Sequence, residues 1–368
     1  MIDINTEKTP KNTKVVVAMS GGVDSSTVAA MLCDKGYQVI GITLQLYDLG
    51  LTVEKKGACC AGQDIYDAKM VADKLSIPHY VLNYESIFKQ DVIEDFASSY
   101  LRGETPIPCV RCNQSVKFRD LFKVAKELDA DALVTGHYVR RIVGKEGPEL
   151  HRAVDLRKDQ SYFLFATTKE QLDFLHFPLG TYTKEETRKL AEYYGLKIAD
   201  KPDSQDICFV PNGSYTKVIE KIRPGALDKG DIVHVDGRVL GQHQGIINYT
   251  VGQRRGLGIA HAEPLYVIKI DPDNKKVIVG PEENLNNKSF VVKDLNWLLN
   301  DEIPENGIEV TVRLRSAHEG AKAVMYPAEN GAKIILEQAE RAITPGQACV
   351  IYSKERVLGG GWITKFVN

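Results

Sequence analysis

The stretch VVVAMSGGVDSSTVAAML, residues 15–32, places two glycines and three serines between an apolar strand and an apolar helix. Val15 to Met19 are rich in β-branched residues and read as a buried strand, whereas Val28, Ala29 and Leu32 recur at helical spacing. The break is therefore a strand-to-helix turn. Gly21 and Gly22 remove the side chains that would keep an anion off the backbone, and the helix start offers unpaired N–H groups and a positive dipole end. A phosphorylated ligand is expected there.

A Walker-type loop would read G-x-x-x-x-G-K-S/T, with its lysine on the terminal phosphates. Here SGGVDS carries no lysine, Ser20, Ser25 and Ser26 offer hydroxyls, and Asp24 is a candidate Mg2+ ligand. Such a loop suits gripping a pyrophosphate that leaves. The expected chemistry is cleavage of ATP between its α and β phosphates, with transfer of adenylate to a substrate oxygen. A Gly-Gly turn capped by Asp or Ser, with no ligand, has the same local sequence. Placement directly after a buried strand favours the phosphate reading.

A chain of 368 residues is too long for one ordinary core and implies two or three domains. Its 43% apolar and 26% charged residues are those of a soluble globular protein. Residues 1–13 are polar and lack the apolar core of a secretory signal, and no run reaches the length of a membrane span. A cytoplasmic protein without membrane contact is expected. The net charge of −2 announces no polyanion partner, so any nucleic acid would need a local basic patch. Stretches 110–119, 139–141, 252–256 and 313–315 qualify, although each alone reads as a solvated face. Seven cysteines, an odd number without an export signal, argue for reduced thiols rather than a disulfide scaffold.

Strands and helices alternate through YQVIGITLQLY, DIYDAKMVADKLS, HYVLNY, helices around 86–101 and 113–128, and ALVTGHY. Alternation of this kind means right-handed crossovers and a parallel sheet. Its ligand belongs beyond the carboxyl ends of the strands, where Ser20–Ser25, Leu44–Gln45 and Gly136–His137 fall. After about residue 210 the segments become short, β-branched and punctuated by D-G, D-N and N-G turns, and the last stretch reads as a small antiparallel barrel. The expected division is 1–211 for an α/β ATP-binding domain, 212–285 for a central domain and 286–368 for the barrel.

Cys33 and Cys349 read as buried small hydrophobes, and the adjacent Cys59 and Cys60 as incidental loop residues. TPIPCVRCNQSVKF differs, because Cys112 falls next to a helix start where the dipole and Arg111 would favour its thiolate. A C-x-x-C pair is half of a zinc site, a redox pair or part of an iron–sulfur ligand set. The zinc reading lacks its second pair of ligands. Cys208, in KPDSQDICFV, lies in another polar loop at the edge of the α/β domain. Two thiols near an adenylating site imply sulfur transfer, one carrying a persulfide and the other attacking it.

Together AMSGGVDSS, TPIPCVRCN, TGHY, RAVDLRKDQSYFL, KPDSQDICFV, YTVGQRRGLGI and ITPGQACVIY resemble the bacterial and organellar tRNA-specific 2-thiouridylases over essentially the whole chain. The resemblance implies a pyrophosphate-loop ATPase domain, a linking domain and a C-terminal β-barrel. It also implies adenylation of the C2 oxygen of a wobble uridine and its replacement by sulfur, releasing AMP and pyrophosphate. Carried over, Ala18, Met19, Ser20, Gly21, Gly22, Val23, Asp24 and Ser25 would wrap the ATP phosphates, with Leu44 and Gly136 near the adenosine. Cys112 would be the nucleophile and Cys208 the persulfide carrier. Ile107, Pro108 and Cys109 would lie beside the target base, and His137, Lys158, Asp159, Gln160, Arg313, Leu314 and Gln347 match tRNA-contacting positions. The implied partners are the anticodon stem-loop of tRNAs for Lys, Glu and Gln, and a sulfur donor, either a desulfurase or a relay protein. Cys109 stands where many members have an aspartate, so Cys109, Cys112 and Cys208 are a candidate ligand set for a 4Fe–4S cluster, beside the persulfide route that needs only two thiols. The rival readings are another pyrophosphate-loop adenylating enzyme and an RNA-binding module with a vestigial loop.

Overall fold

β1 (Lys14–Ala18) is the middle strand of the first sheet, and its Val15, Val16 and Val17 are fully buried. The computed structural model that shows this describes residue 4 and residues 8–46, 60–202, 207–210 and 214–366. β2 (Gln38–Gln45) and β4 (Ala132–Val134) flank β1, and β3 (His79–Asn83) and β7 (Leu175–His176) complete the order β3-β2-β1-β4-β7, with every pair parallel. The chain runs outward from β1 to β3 and returns on the other side of β1 as β4. That reversal opens a crevice between the carboxyl ends of β1 and β4.

α1 (Val23–Asp34) is buried almost continuously from Val23 to Leu32, packed on β1, β2, α2 (Cys60–Leu75) and α8 (Lys184–Tyr193). α2 turns Ala68, Val71 and Ala72 inward, with Leu75 against the same core. α3 (Glu85–Phe88) leads through a wider π-helical turn, 89–93, into α4 (Glu94–Leu101). α5 (Pro108–Arg111) runs without a break into a second π-helical stretch, 112–117, ahead of α6 (Asp120–Glu127).

Between β4 and α7 (Lys169–Phe174) stands an antiparallel hairpin, β5 (Val139–Gly144) with β6 (Gly147–Arg152). The alternation of strands and helices gave no sign of it. It also overturns 139–141 as a basic patch, because both arginines are used internally. Arg140 pairs with Glu355 at 2.6 Å, and Arg141 Nε donates to the Leu172 carbonyl at 2.8 Å.

Contacts divide the chain into two compact units, residues 1–91, 109–211 and 355–357, and residues 92–108, 212–354 and 358–368. Sequence order would leave 92–108 with the α/β part, yet it packs within the second unit. There Tyr100 stacks on Tyr215 of α9 (Tyr215–Ile222) with centroids 4.7 Å apart, and Thr105 N donates to Pro345 O at 2.8 Å.

The second unit holds a four-stranded sheet of β8 (Gly230–His234), β9 (Val239–His243), β10 (Tyr266–Asp271) and β11 (Lys276–Gly280), in the order β10-β11-β8-β9. It also holds β12 (Asn286–Trp297), β13 (Ile308–Arg313), β14 (Ala321–Ala328), β15 (Gly331–Arg341), β16 (Ala348–Ser353) and most of β17 (Arg356–Phe366). These run β12-β15-β14-β13-β16-β17, and β17 pairs back to β12, so the barrel closes and leaves no free edge. Phe290, Val312, Met325, Ile334, Cys349 and Ile351 fill it. Cys349 is thus a core residue, whereas Cys33 is half-buried against the first unit's core.

Candidate active site

The residues after β1 form a loop braced by its own serines. Ser20 N donates to Ser25 Oγ at 3.1 Å, and the two hydroxyls lie 3.3 Å apart. Gly22 caps α1 with no side-chain hydrogen bond, so the first N–H groups of the helix keep their capacity for an anion. Gly21 is obligatory here on two grounds. Its φ is +73°, and a Cβ would stand 2.0 Å from the carbonyl oxygen of Asp64 in α2. Gly136, at the end of β4, has a similar constraint, since a Cβ there would lie 2.8 Å from Ser25 N. The crevice between β1 and β4 is therefore lined by backbone drawn close on both sides, with Leu44 at the end of the neighbouring β2.

Two lysines reach this loop from far along the chain. Lys184 Nζ sits 2.7 and 2.9 Å from the two carboxylate oxygens of Asp24, and Tyr138 Oη lies 2.8 Å from Oδ1. Asp24, offered above as a Mg2+ ligand, is held here as an ion-pair partner at the helix start. Lys201 Nζ donates to the Gly21 carbonyl at 3.0 Å and to Asp64 and Asp67 of α2 at 2.7 and 2.5 Å. The turn is thus stapled to α2. Lys201 opens the Cys208 stretch, which was a readable signal, whereas nothing in the sequence marks Lys184.

Cys112 does not stand at a free helix start. The helical run begins at Pro108, so Cys112 lies within it, and burial holds its thiol above the ordinary range. Arg111 bonds Gln114 instead. The cation that favours the thiolate is Lys117, one wide turn further on, and it acts on Cys109 and Cys208 as well. Cys208 is pushed up to about 12, first by the protein packed around it and then by Cys112 and Cys109. It is open to solvent yet set among dense protein, with Phe209 seated edge-on against Phe88 at 5.8 Å. The three thiols therefore share one neighbourhood. Lys117 also acts on His137, which follows Gly136, so the thiols and the phosphate loop adjoin.

Among the described residues no three His, Cys, Asp or Glu side chains are gathered closely enough to hold a metal ion. The Cys109, Cys112 and Cys208 set therefore does not fit an iron–sulfur cluster in this geometry. Beside Cys112, Asn113 is buried. Its Nδ2 donates to Phe163 O at 3.2 Å, and its Oδ1 has no partner among the described residues. Cys59 lies outside the described residues, as does the side chain of Cys60.

The positions matched to tRNA contacts fall into two groups. Lys158 and Gln160 are half-buried, and Gln160 Oε1 accepts from Tyr138 N at 2.8 Å. His137 is packed against Phe118 and Phe177, and burial lowers its pKa to about 3. Gln347 Nε2 donates to Thr105 O at 3.0 Å, two residues before the buried Ile107 and Pro108. Asp159, Arg313 and Leu314 are more deeply held by internal contacts. The Asp159 side chain is 0% exposed, with Ala153 N, Ser161 N, Ser161 Oγ and Arg152 Nε all donating to it. Arg313 is buried, with its guanidinium on the carbonyls of Ser316 and His318, and Leu314 is in the barrel core. Arg315 is the exposed member of that run.

A parallel sheet with a glycine-rich helix start at its switch point and thiols adjoining defines a nucleotide-binding α/β protein with sulfur chemistry at hand. Residues 13–212 match the family described as tRNA methyl transferase HUP domain, 216–281 the tRNA methyl transferase PRC-barrel domain and 287–363 the Aminomethyltransferase beta-barrel domain. The tRNA-specific 2-thiouridylase MnmA of Rickettsia canadensis (strain McKiel) is 65% identical over 357 residues, covering 96% of this chain and 97% of its own. Those of Rickettsia bellii (strain OSU 85-389) and Rickettsia conorii are 64% and 63% identical, each covering 97% of this chain and 98% and 97% of their own. The chain belongs to the tRNA-specific 2-thiouridylase family. A solved 4-thiouridine synthetase–RNA complex with bound ATP is 18% identical over 57% of this chain and 50% of its own, with a TM-score of 0.38, too low to carry an argument.

Proposed function

We propose that this protein is an ATP-dependent tRNA sulfurtransferase that makes 2-thiouridine at the wobble position. The observation that carries the reading is that Gly136 lies against the open α1 start while the next residue, His137, packs 5.9 Å from Phe118 at the end of the helical stretch that begins at Cys112. ATP enters with Mg2+ on its phosphates, the helix start and Ser20–Ser25 hold them, and Lys184 and Lys201 keep the loop in shape. The uridine C2 oxygen attacks the α-phosphorus and pyrophosphate leaves.

A donor protein, a desulfurase or relay, carries a cysteine persulfide; the Cys208 thiolate attacks its outer sulfur, the donor's thiolate leaves, and Cys208 holds the persulfide. The Cys112 thiolate then attacks the Cys208 sulfur, a Cys112–Cys208 disulfide forms and hydrosulfide leaves to displace AMP at C2. The disulfide returns to two thiols at the expense of an external thiol reductant. The base must leave its stack to react, and Asn113 Oδ1 is a buried acceptor that a base N–H would satisfy. The anticodon stem-loop of tRNAs for Lys, Glu and Gln is the substrate, and the setting is the cytoplasm. Among the described residues, no helix is long and apolar enough to cross a membrane.

The test is mass spectrometry of wobble nucleosides after incubating protein, unmodified tRNA, Mg2+-ATP and sulfide without oxygen. A sulfur-for-oxygen gain is expected, kept in both Cys112→Ser and Cys208→Ser with free sulfide and lost in both when a persulfide donor protein is the sulfur source. Cys109→Asp should keep activity, because the persulfide route does not use that thiol. A methyl mass gain, or pyrophosphate release without any gain, refutes the assignment.

A further inference from the structure

The loop between the 3-10 turn at 246–248 and β10 carries Arg254 and Arg255 on a rigid base. Gly252 N donates to Val267 O at 2.8 Å and Val267 N to Gln253 O at 2.9 Å, so both ends of the loop are tied to the sheet. The Gln253 side chain braces it again, accepting from Thr250 N at 3.0 Å and donating to Arg255 O at 2.9 Å. Leu257 is buried at 7% exposure and anchors the middle. Gly252, Gly256 and Gly258 have positive φ, so the chain can turn tightly and leave backbone uncovered.

Around this loop opens a groove of about 400 Å³ whose lining includes Arg254, Leu257, Ile259, His261 and Pro264, with Glu263 the one acidic residue, and Arg255 follows Arg254 just outside it. Gly252 lies against Ala342, and Arg315 donates to the Arg341 carbonyl at 3.4 Å, so the exposed Arg315 belongs to the same surface. Arg341 itself is occupied by Glu282 and the Tyr266 ring. Arg254, Arg255 and Arg315 are exposed and make no ion pair among the described residues.

We infer that the groove at 252–265 binds the phosphate backbone of the tRNA substrate, with Arg254 and Arg255 as its cations and Arg315 extending the track. The inference rests on the tRNA reading above. In a chain of net charge −2, three exposed arginines without an ion pair among the described residues, held on a braced surface, concentrate positive potential locally. The groove's lining holds no Phe, Tyr or Trp, and its one aromatic ring, the His261 imidazole, is stacked on His234 at 5.7 Å, which suits backbone rather than base recognition.

The test is binding of an unmodified tRNA transcript across a series of salt concentrations, with the thermal midpoint of each variant as a folding control. Each lost phosphate contact lowers the slope of log affinity against log salt by roughly 0.7–0.9. Arg254→Ala with Arg255→Ala should therefore weaken binding on the order of tenfold and flatten the slope by about 1.5. Glu263→Gln should shift affinity the other way. An unchanged slope in a folded double variant overturns this inference while leaving the enzyme assignment standing. Wild-type protein that binds no tRNA overturns both.

Discussion

Lys117 bears on three thiols and a histidine at once. It favours the charged form of Cys109, Cys112 and Cys208 together, against burial that opposes all three. Replacing it by methionine removes that help and raises the thiols further. Alkylation of Cys112 by iodoacetamide, followed residue by residue with mass spectrometry, should be severalfold slower near neutral pH in Lys117→Met. Its half-maximal rate should move to more alkaline pH. A variant that reacts as fast as wild type would remove Lys117 from the proposed activation. Cys112 was legible as a candidate from its C-x-x-C spacing. Its activation was misjudged, because where a helix begins depends on which residues before it adopt helical geometry, and here Pro108 already does.

The turn from β1 into α1 depends on contacts that its own residues do not contain. Gly21 is pinned between α2 and the Lys201 ammonium, and Gly136, just past β4, lies against Asp24 and Ser25 of the same turn. A Gly21→Ala change places a left-handed backbone on an alanine, costing about 1–2 kcal/mol, and drives a methyl into the Asp64 carbonyl. Urea unfolding should show a loss at least that large, and the KM for ATP should rise as the helix start is displaced. An unaltered KM would mean that the loop does not hold the nucleotide. Gly-Gly before an apolar helix made this turn readable. The hairpin at 139–152 was not, because its strands carry exposed Val143 and half-buried arginines rather than strict alternation.

Across the fold, two densely packed histidines, His137 and His176, make stability sensitive to acid. Burial lowers His137 to about 3 and His176 to about 4, whereas an unfolded histidine titrates near 6.5. As pH falls below about 6.5 the unfolded chain gains protons that the folded chain refuses. Each histidine therefore contributes stability above that pH and loses it progressively down to its folded value. By pH 5 the loss should be on the order of 1–2 kcal/mol for each. Urea unfolding at pH 7 and pH 5 measures it, and the double variant His137→Gln, His176→Gln should lose less stability over that interval. Equal losses in wild type and variant would place the acid sensitivity elsewhere. The assignment of 92–108 to the second unit belongs to this level too, since Tyr100 and Thr105 are committed by partners more than 100 residues away.

Local order was written in the chain alone. The β1–α1 turn, the parallel alternation, the closed barrel and the chemical identity of the thiols follow from periodicity, glycine placement and residue type over short windows. Those are properties that neighbouring residues settle among themselves. The uses of Asp24, Asp159 and Arg313 did not follow, because burial and ion pairing depend on which distant side chain arrives. Lys184 reaches Asp24 from 160 positions away, and that pairing exists only once α8 has packed on α1. Charge state and exposure are set by everything around a group, and only the folded chain supplies those surroundings.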